Sequence, residues 1–213
     1  MRRNYFKRDT ALKNYEPSAL TVNITADLPV VEVMHDGQKV TIIRNQNQQN
    51  TIKPDFALTS RECPPFCIQP SQLAPGVTTI AELEVLNVLQ KISDGDTSLL
   101  VIDSRTKNWV EKGVIPGTVN IPWDALEIGK AEPAAMQAIL ENRLGAKRQG
   151  DYWNFDNAKT LALYCNGPWC GQSSTTINDL LKIGYPAHKL RWYRGGMQDW
   201  ESLGLTTVKP NGQ

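Results

Sequence analysis

The chain has 213 residues, 40% of them hydrophobic, and a formal net charge of +1. That length and apolar content support one good core with a small appendage. The near balance of charge argues against nucleic acid or an anionic membrane as a partner, because no basic excess exists to neutralise phosphates. No apolar run approaches the ~20 residues that span a bilayer.

The opening MRRNYFKRDT begins basic but carries no apolar stretch, so it does not read as an intact secretory signal. The expectation is a cytoplasmic protein by default, or a periplasmic one if a signal has been removed. Residues 1–28 are polar with little periodicity and are expected to be loosely held. Next, Val30, Val31 and Val33, then Val40, Ile42 and Ile43, flank His35-Asp36-Gly37. Asp-Gly between β-branched runs predicts a hairpin. Asn45 to Asn50 is almost wholly Asn and Gln, an exposed loop. Pro54, Pro64, Pro65, Pro70 and Pro75 then punctuate an extended connector to Gly76. A boundary there gives an N-terminal extension, 1–76, and a main domain, 77–213.

From Thr78 the pattern alternates between α and β. Thr78 or Thr79 is expected to cap a helix over 80–92, with Ile80, Leu83, Leu86 and Leu89 on one face. Leu99 to Ile102 reads as a strand buried on both faces. Val119 to Ile121 is a second strand, and 133–144 a helix with Pro133 at its start. Leu161 to Tyr164 is a third strand, Ser173 to Ile183 a helix ended by Gly184, and Lys189 to Tyr193 a fourth strand. Met197 to Leu203 closes as a short helix. Such alternation implies an α/β fold: a parallel sheet with helices on both faces.

The chemistry concentrates in LALYCNGPWCGQSS, Leu161 to Ser174. An apolar strand ends in Cys165. A loop of Asn166, Gly167, Pro168, Trp169, Cys170 and Gly171 leads to Gln172 and Ser173, which open a helix. Loop amides and a helix N-terminus favour negative charge, and so a thiolate. Gly167 and Gly171 are expected to take the positive φ values of an anion-binding nest. Gln172 and Ser173 can add side-chain donors. Cys170 is a candidate resolving thiol, or a buried small hydrophobe. Trp169 is a pocket wall or a loop anchor. A second pair, Cys63 and Cys67, lies in RECPPFCIQP. It could be a disulfide in an oxidising compartment, a sulfur relay, or part of a rigid connector. Neither pair has the spacing of a zinc knuckle, so no metal or cofactor is expected. His35 and His188 lie in turn-like contexts, and neither is assigned a metal or catalytic role.

Four segments, in order, resemble the rhodanese (thiosulfate sulfurtransferase-like) family. LLVIDSRT looks like its first core strand, with Asp103 and Arg105. VIPGTVNIPW looks like its Ile-Pro-Gly–Asn-Ile-Pro signature, and the Cys165 segment like its catalytic strand–loop–helix. YRGGMQDWESLGL looks like its closing Gly-Gly–Trp motif. The match covers about 77 to 208. It implies a rhodanese-like central parallel sheet with helices on both faces, preceded by the N-terminal hairpin. It also implies a sulfurtransferase or persulfide carrier: Cys165 takes sulfane sulfur from a small donor such as thiosulfate or polysulfide. A thiol acceptor, of low molecular weight or on a protein, then removes it. Val114 replaces the family's usual histidine. The loop is longer than the common form and has no arginine or lysine. Asp103 and Arg105 are expected to form a charge network at the rim. Arg105 and Arg194 are candidate contacts to an anionic donor, with Arg191 a further one; Trp123 and Trp200 are packing residues. The alternatives are a non-catalytic interaction or redox-sensing module, and a cysteine-based phosphatase or arsenate reductase. The last needs an arginine clamp that the loop lacks.

Overall fold

The computed structural model describes residues 20–210, so the reading of 1–28 as loosely held falls mostly outside the described residues. Strands β1 (Val31–His35) and β2 (Gln38–Ile42) form the expected antiparallel hairpin. Asp36 and Gly37 turn it with φ of 49° and 77°, the two positive values that a twist-matched two-residue turn needs. A one-turn helix, α1 (Pro54–Ala57), follows. Strand β3 (Thr78–Ile80) leads to α2 (Glu82–Ser93), and β4 (Leu99–Asp103) to a one-turn α3 (Lys107–Val110) and β5 (Val119–Asn120). Then come α4 (Pro133–Asn142), a small hairpin of β6 (Lys147–Gln149) and β7 (Tyr152–Asn154), and β8 (Thr160–Tyr164). The chain closes with α5 (Gln172–Lys182), β9 (Leu190–Tyr193) and α6 (Gly196–Ser202).

Thr78 and Thr79 do not cap a helix. These β-branched residues form β3, which pairs with β9. The cap passes to Ala81, whose N–H donates to the Glu84 carboxylate at 3.1 Å. Sequence periodicity also misses β6 and β7. All of β6 is exposed, so Lys147, Arg148 and Gln149 show no apolar alternation.

The main sheet runs β3–β9–β8–β4–β5 with every pair parallel. One face packs on Val85, Leu86 and Leu89 of α2, with Val31, Val33 and Ile42 of the hairpin joining the same apolar cluster. The other face packs on Leu140 of α4 and Ile177 and Leu180 of α5. The hairpin therefore shares the core of the sheet. His35 Nδ1 also accepts from the Gly117 N–H at 3.1 Å, which ties it to the Pro-Gly turn before β5. The chain leaves β4 toward β5 on one side and returns through β8 on the other. That switch point lies at the carboxyl ends of β4 and β8, where open α/β sheets hold their sites. Among the described residues no helix is long and apolar enough to cross a membrane.

Candidate active site

Cys165 follows the last residue of β8 and is buried, with 2% of its surface exposed. The sheet aims it. Leu161, Ala162, Leu163 and Tyr164 are buried in the central strand, so the next residue emerges at the switch point. The Gly-Gly pair fixes it from the other side: Met197 N–H donates to the Cys165 carbonyl at 3.0 Å, and Gln198 N–H to that of Asn166 at 2.9 Å. Such an approach needs Gly196. Its φ is 55°, and a Cβ there would lie 2.3 Å from the Cys165 carbonyl oxygen.

Ser173, in the first turn of α5, donates its hydroxyl to Cys165 Sγ at 3.2 Å. Trp192 of β9 donates its indole N–H to the same Ser173 oxygen at 3.1 Å. That occupies a Ser173 lone pair and leaves the hydroxyl proton for the sulfur. Burial pushes the Cys165 thiol up. Hydrogen bonds from Cys170, from the Ser173 hydroxyl and from the amides of Ser173 and Gly167 outweigh it and bring the pKa down to about 7. When protonated, Cys165 donates to the Cys170 carbonyl at 3.2 Å; once ionised, it accepts from the Ser173 hydroxyl and from the amides of Ser173 and Gly167.

Cys170 is buried beside it and free. Burial, then the neighbouring Cys165 sulfur, push its thiol up, against weaker help from the amides of Asn166 and Gln172. The cradle thus divides its donors. Gly167 and Ser173 serve one sulfur, Asn166 and Gln172 the other, and only the first becomes acidic. The expected positive φ at Gly171 is not found: it has φ −86° and caps α5. Gly167 has φ 159°, close to extended, and what it supplies is room. A Cβ there would lie 2.9 Å from Gln198 Oε1 and 3.1 Å from Trp169 Nε1. Pro168 uses its carbonyl, which accepts from the Gln69 N–H at 2.8 Å.

The Asp103–Arg105 network lies in the interior, not at the rim. Both residues are 0% exposed. Arg105 grips Asp103 with Nε and Nη2, at 2.9 and 2.6 Å, and donates further to the carbonyls of Trp109 and Gly113. Tyr164 OH donates to the same carboxylate at 2.9 Å. Burial lowers the Arg105 pKa, but the Asp103 charge and hydrogen bond more than offset that, so it stays a cation. So enclosed, Arg105 braces the ends of β4 and β8 and offers no open face to a donor. Arg194 donates from Nε to the Pro70 carbonyl at 2.8 Å and from Nη2 to that of Gln69 at 2.8 Å. It fastens the connector to the sheet. Trp200 is buried and bonds the Thr206 carbonyl.

What sequence reasoning missed is the connector's contact with the Cys165 loop; of the alternatives offered for Cys63 and Cys67, the disulfide is the one formed. Gln69 bonds Pro168 and Ser174, and the Gln198 amide donates to the Phe56 carbonyl while accepting from Trp169 Nε1. Phe66 meets Trp169 edge-on at 5.5 Å, and the Arg61 guanidinium lies 3.8 Å from the centroid of a Trp169 ring. No spacing rule links residues 56–69 to a loop a hundred positions later. Among the described residues no cluster of His, Cys, Asp and Glu could hold a metal ion.

An α/β sheet with a buried cysteine of lowered pKa in an amide-lined loop at its switch point defines a protein built around one loop cysteine. The model of the rhodanese-like domain matches residues 85–203, more than half of the chain, and the chain belongs to that family. Similar solved structures include a human single-domain sulfurtransferase, 22% identical, covering 58% of this chain and 95% of that one at a TM-score of 0.39. A rhodanese with anions from E. coli is 21% identical over 53% of this chain and 99% of its own, at 0.34. A thiosulfate sulfurtransferase from Pseudomonas aeruginosa is 18% identical over 62% of this chain and 20% of its own, at 0.42. No curated protein matches.

Proposed function

We propose that the chain is a sulfurtransferase or persulfide carrier working through Cys165. The observation that carries this reading is the placement of the buried Cys165 at the end of β8, with the Ser173 hydroxyl of α5 donating to its sulfur at 3.2 Å and hydrogen bonds bringing its pKa down to about 7. Hydrogen bonds that favour the charged form make the thiolate, the nucleophilic species, available near neutral pH. The Cys165 thiolate attacks the sulfane sulfur of a donor such as thiosulfate. An Sγ–S bond forms, the donor's S–S bond breaks, and sulfite leaves with the electron pair. An acceptor thiolate then attacks the outer sulfur, and Cys165 leaves as thiolate. The two half-reactions predict ping-pong kinetics. The disulfide on the connector supports an oxidising compartment such as the periplasm.

The closeness of the two cysteines favours a second, related outcome: Cys165 Sγ lies 3.2 Å from the Cys170 carbonyl oxygen and each thiol shifts the other's pKa, although the Cys170 thiol itself donates to Gln172 Oε1. Cys170 attacks Sγ of the persulfide, a Cys165–Cys170 disulfide forms, and the outer sulfur leaves as hydrosulfide with the Cys170 proton. A dithiol reductant would supply the two electrons that reset the pair. Because the Cys170 thiol is pushed up, this step is slow until its proton is taken.

Intact mass after exposure of the reduced protein to thiosulfate or a polysulfide tests the proposal. A gain of one sulfur atom is expected, absent in Cys165→Ser and longer-lived in Cys170→Ser. No adduct with any donor would leave a non-catalytic module as the better account. Turnover of an aryl phosphate would point to a phosphatase.

A further inference from the structure

The catalytic loop has no basic side chain, yet a cation stands over it. Arg61 comes from the connector, more than a hundred residues earlier in sequence. Its guanidinium lies 3.8 Å from a Trp169 ring centroid and 5.9 Å from that of Phe66. At such distances the ring faces hold a cation without neutralising it.

No carboxylate is in ion-pair contact with that charge among the described residues. Arg61 Nη2 donates to the main-chain carbonyl of Asp55, while the Asp55 carboxylate is taken by Lys112 at 2.7 Å. Arg61 Nε is buried and has no hydrogen-bond partner. A buried donor without an acceptor is costly, so the position suits a ligand that accepts. Burial lowers the Arg61 pKa, while Asp55 and then the Cys170 sulfur act to raise it.

The segment bearing Arg61 is held in place from several sides. The Cys63–Cys67 disulfide closes the turn that carries Phe66. Gln69 bonds the loop at Pro168, and Arg194 clamps the carbonyls of Gln69 and Pro70. Lys112 secures Asp55 from the other end.

We propose that Arg61 is the anion-recognising residue of this site: it supplies from the connector the positive charge the loop lacks, and selects anionic sulfur donors for Cys165. The proposal rests on the reading of Cys165 as the sulfur acceptor. Arg61 binds and positions the donor; it does not join the bond changes. An anion at the loop beside Arg61 would supply the acceptor that Nε lacks while Asp55 keeps Nη2.

The test compares iodoacetate with iodoacetamide, two alkylating agents of similar shape, one anionic and one neutral. Rates at Cys165 are read by peptide mass. In the unaltered protein the iodoacetate-to-iodoacetamide ratio should fall as ionic strength rises. In Arg61→Met it should drop about tenfold at low salt and lose that salt dependence, and in Arg61→Lys it should largely recover. With thiosulfate as donor, Arg61→Met should raise KM by about tenfold and leave kcat within about twofold, the mark of lost binding rather than lost chemistry. A ratio and KM that are unchanged in Arg61→Met overturn the proposal. So does an equal loss with both reagents in Arg61→Met and Arg61→Lys alike, which marks a packing role. The two readings fail separately. If thiosulfate transfers no sulfur but the alkylation ratio still depends on Arg61, sulfur transfer fails and anion recognition stands.

Discussion

The two cysteine pairs differ by one residue in spacing and by everything else. Cys63 and Cys67 lie on an extended, proline-punctuated segment and are joined. Cys165 and Cys170 lie at the carboxyl end of a central strand, buried and free. The first pair has no sheet beneath it and holds a surface turn in shape by a covalent bond. The second is held by the sheet, by Gly196 and by α5, and its sulfurs share a ring of amides. What separates a staple from a reactive centre is therefore not cysteine spacing but the donors that the fold directs at one sulfur.

That contrast can be broken from the reactive side first. Gly196→Ala should have the largest effect. The new Cβ meets the Cys165 carbonyl at 2.3 Å, and the residue must keep a φ of 55°. Strain and overpacking together should cost about 3 kcal/mol. The expected result is a lower denaturant midpoint with alkylation of Cys165 no longer following a single thiolate titration. A midpoint within error of the parent would mean that α6 can retreat from β8.

The staple comes next. The disulfide closes a ring over a sequence separation of 4, which the chain-entropy account values at about 2 kcal/mol. Replacing both residues, Cys63→Ala with Cys67→Ala, should lower stability by up to that amount in equilibrium unfolding. The pH profile of Cys165 alkylation should stay where it was, because every donor to that sulfur comes from the loop and α5. A displaced profile would show that the pairs are coupled.

Much of the reactive pair was legible in sequence. Leu161 to Tyr164 is a continuous apolar run, glycines bracket the loop, and the Gly-Gly–Trp segment resembles the family's closing motif. Each is a local pattern tied to a local cause. The connector was illegible for the opposite reason. Arg61, Phe66 and Gln69 follow no period, and their partners, Trp169 and Pro168, lie a hundred residues away. Their meaning comes from tertiary contact alone. The burial of Asp103 and Arg105 was hidden similarly. A charged pair reads as surface until Tyr164, Trp109 and Gly113 are seen to satisfy it. Thr78 and Thr79 misled because a cap and a strand favour the same β-branched residue, and pairing with β9 decides between them.

Ser173→Ala measures the hydrogen bond that most directly marks Cys165 as nucleophile. Alkylation by a neutral reagent follows the thiolate. Its rate should climb with pH up to about 7, the Cys165 pKa, and level off above. Below that value it should fall about tenfold per unit. The Ser173 hydroxyl favours the charged form, so its loss moves the inflection to higher pH. A hydrogen bond to an ion is worth about 1.5 kcal/mol or more, which is about one pH unit. An unmoved inflection would assign the acidity to the amides alone.

Trp192→Phe should give the smallest shift and the most specific information. Trp192 does not touch the sulfur; its N–H holds the Ser173 oxygen at 3.1 Å, and the hydroxyl proton is thereby left for Cys165. Phenylalanine keeps an apolar ring in the core but removes that N–H. The serine can still donate, now with freedom to turn elsewhere, so the inflection should rise by about half a unit, less than in Ser173→Ala. The two changes should not add. Once the hydroxyl is gone, the indole has nothing to orient, and Trp192→Phe in the Ser173→Ala background should move the inflection no further. Simple loosening of the core would lower stability in both backgrounds and leave the titration alone, so an additive shift, or none in either background, would remove Trp192 from the site and return it to the core.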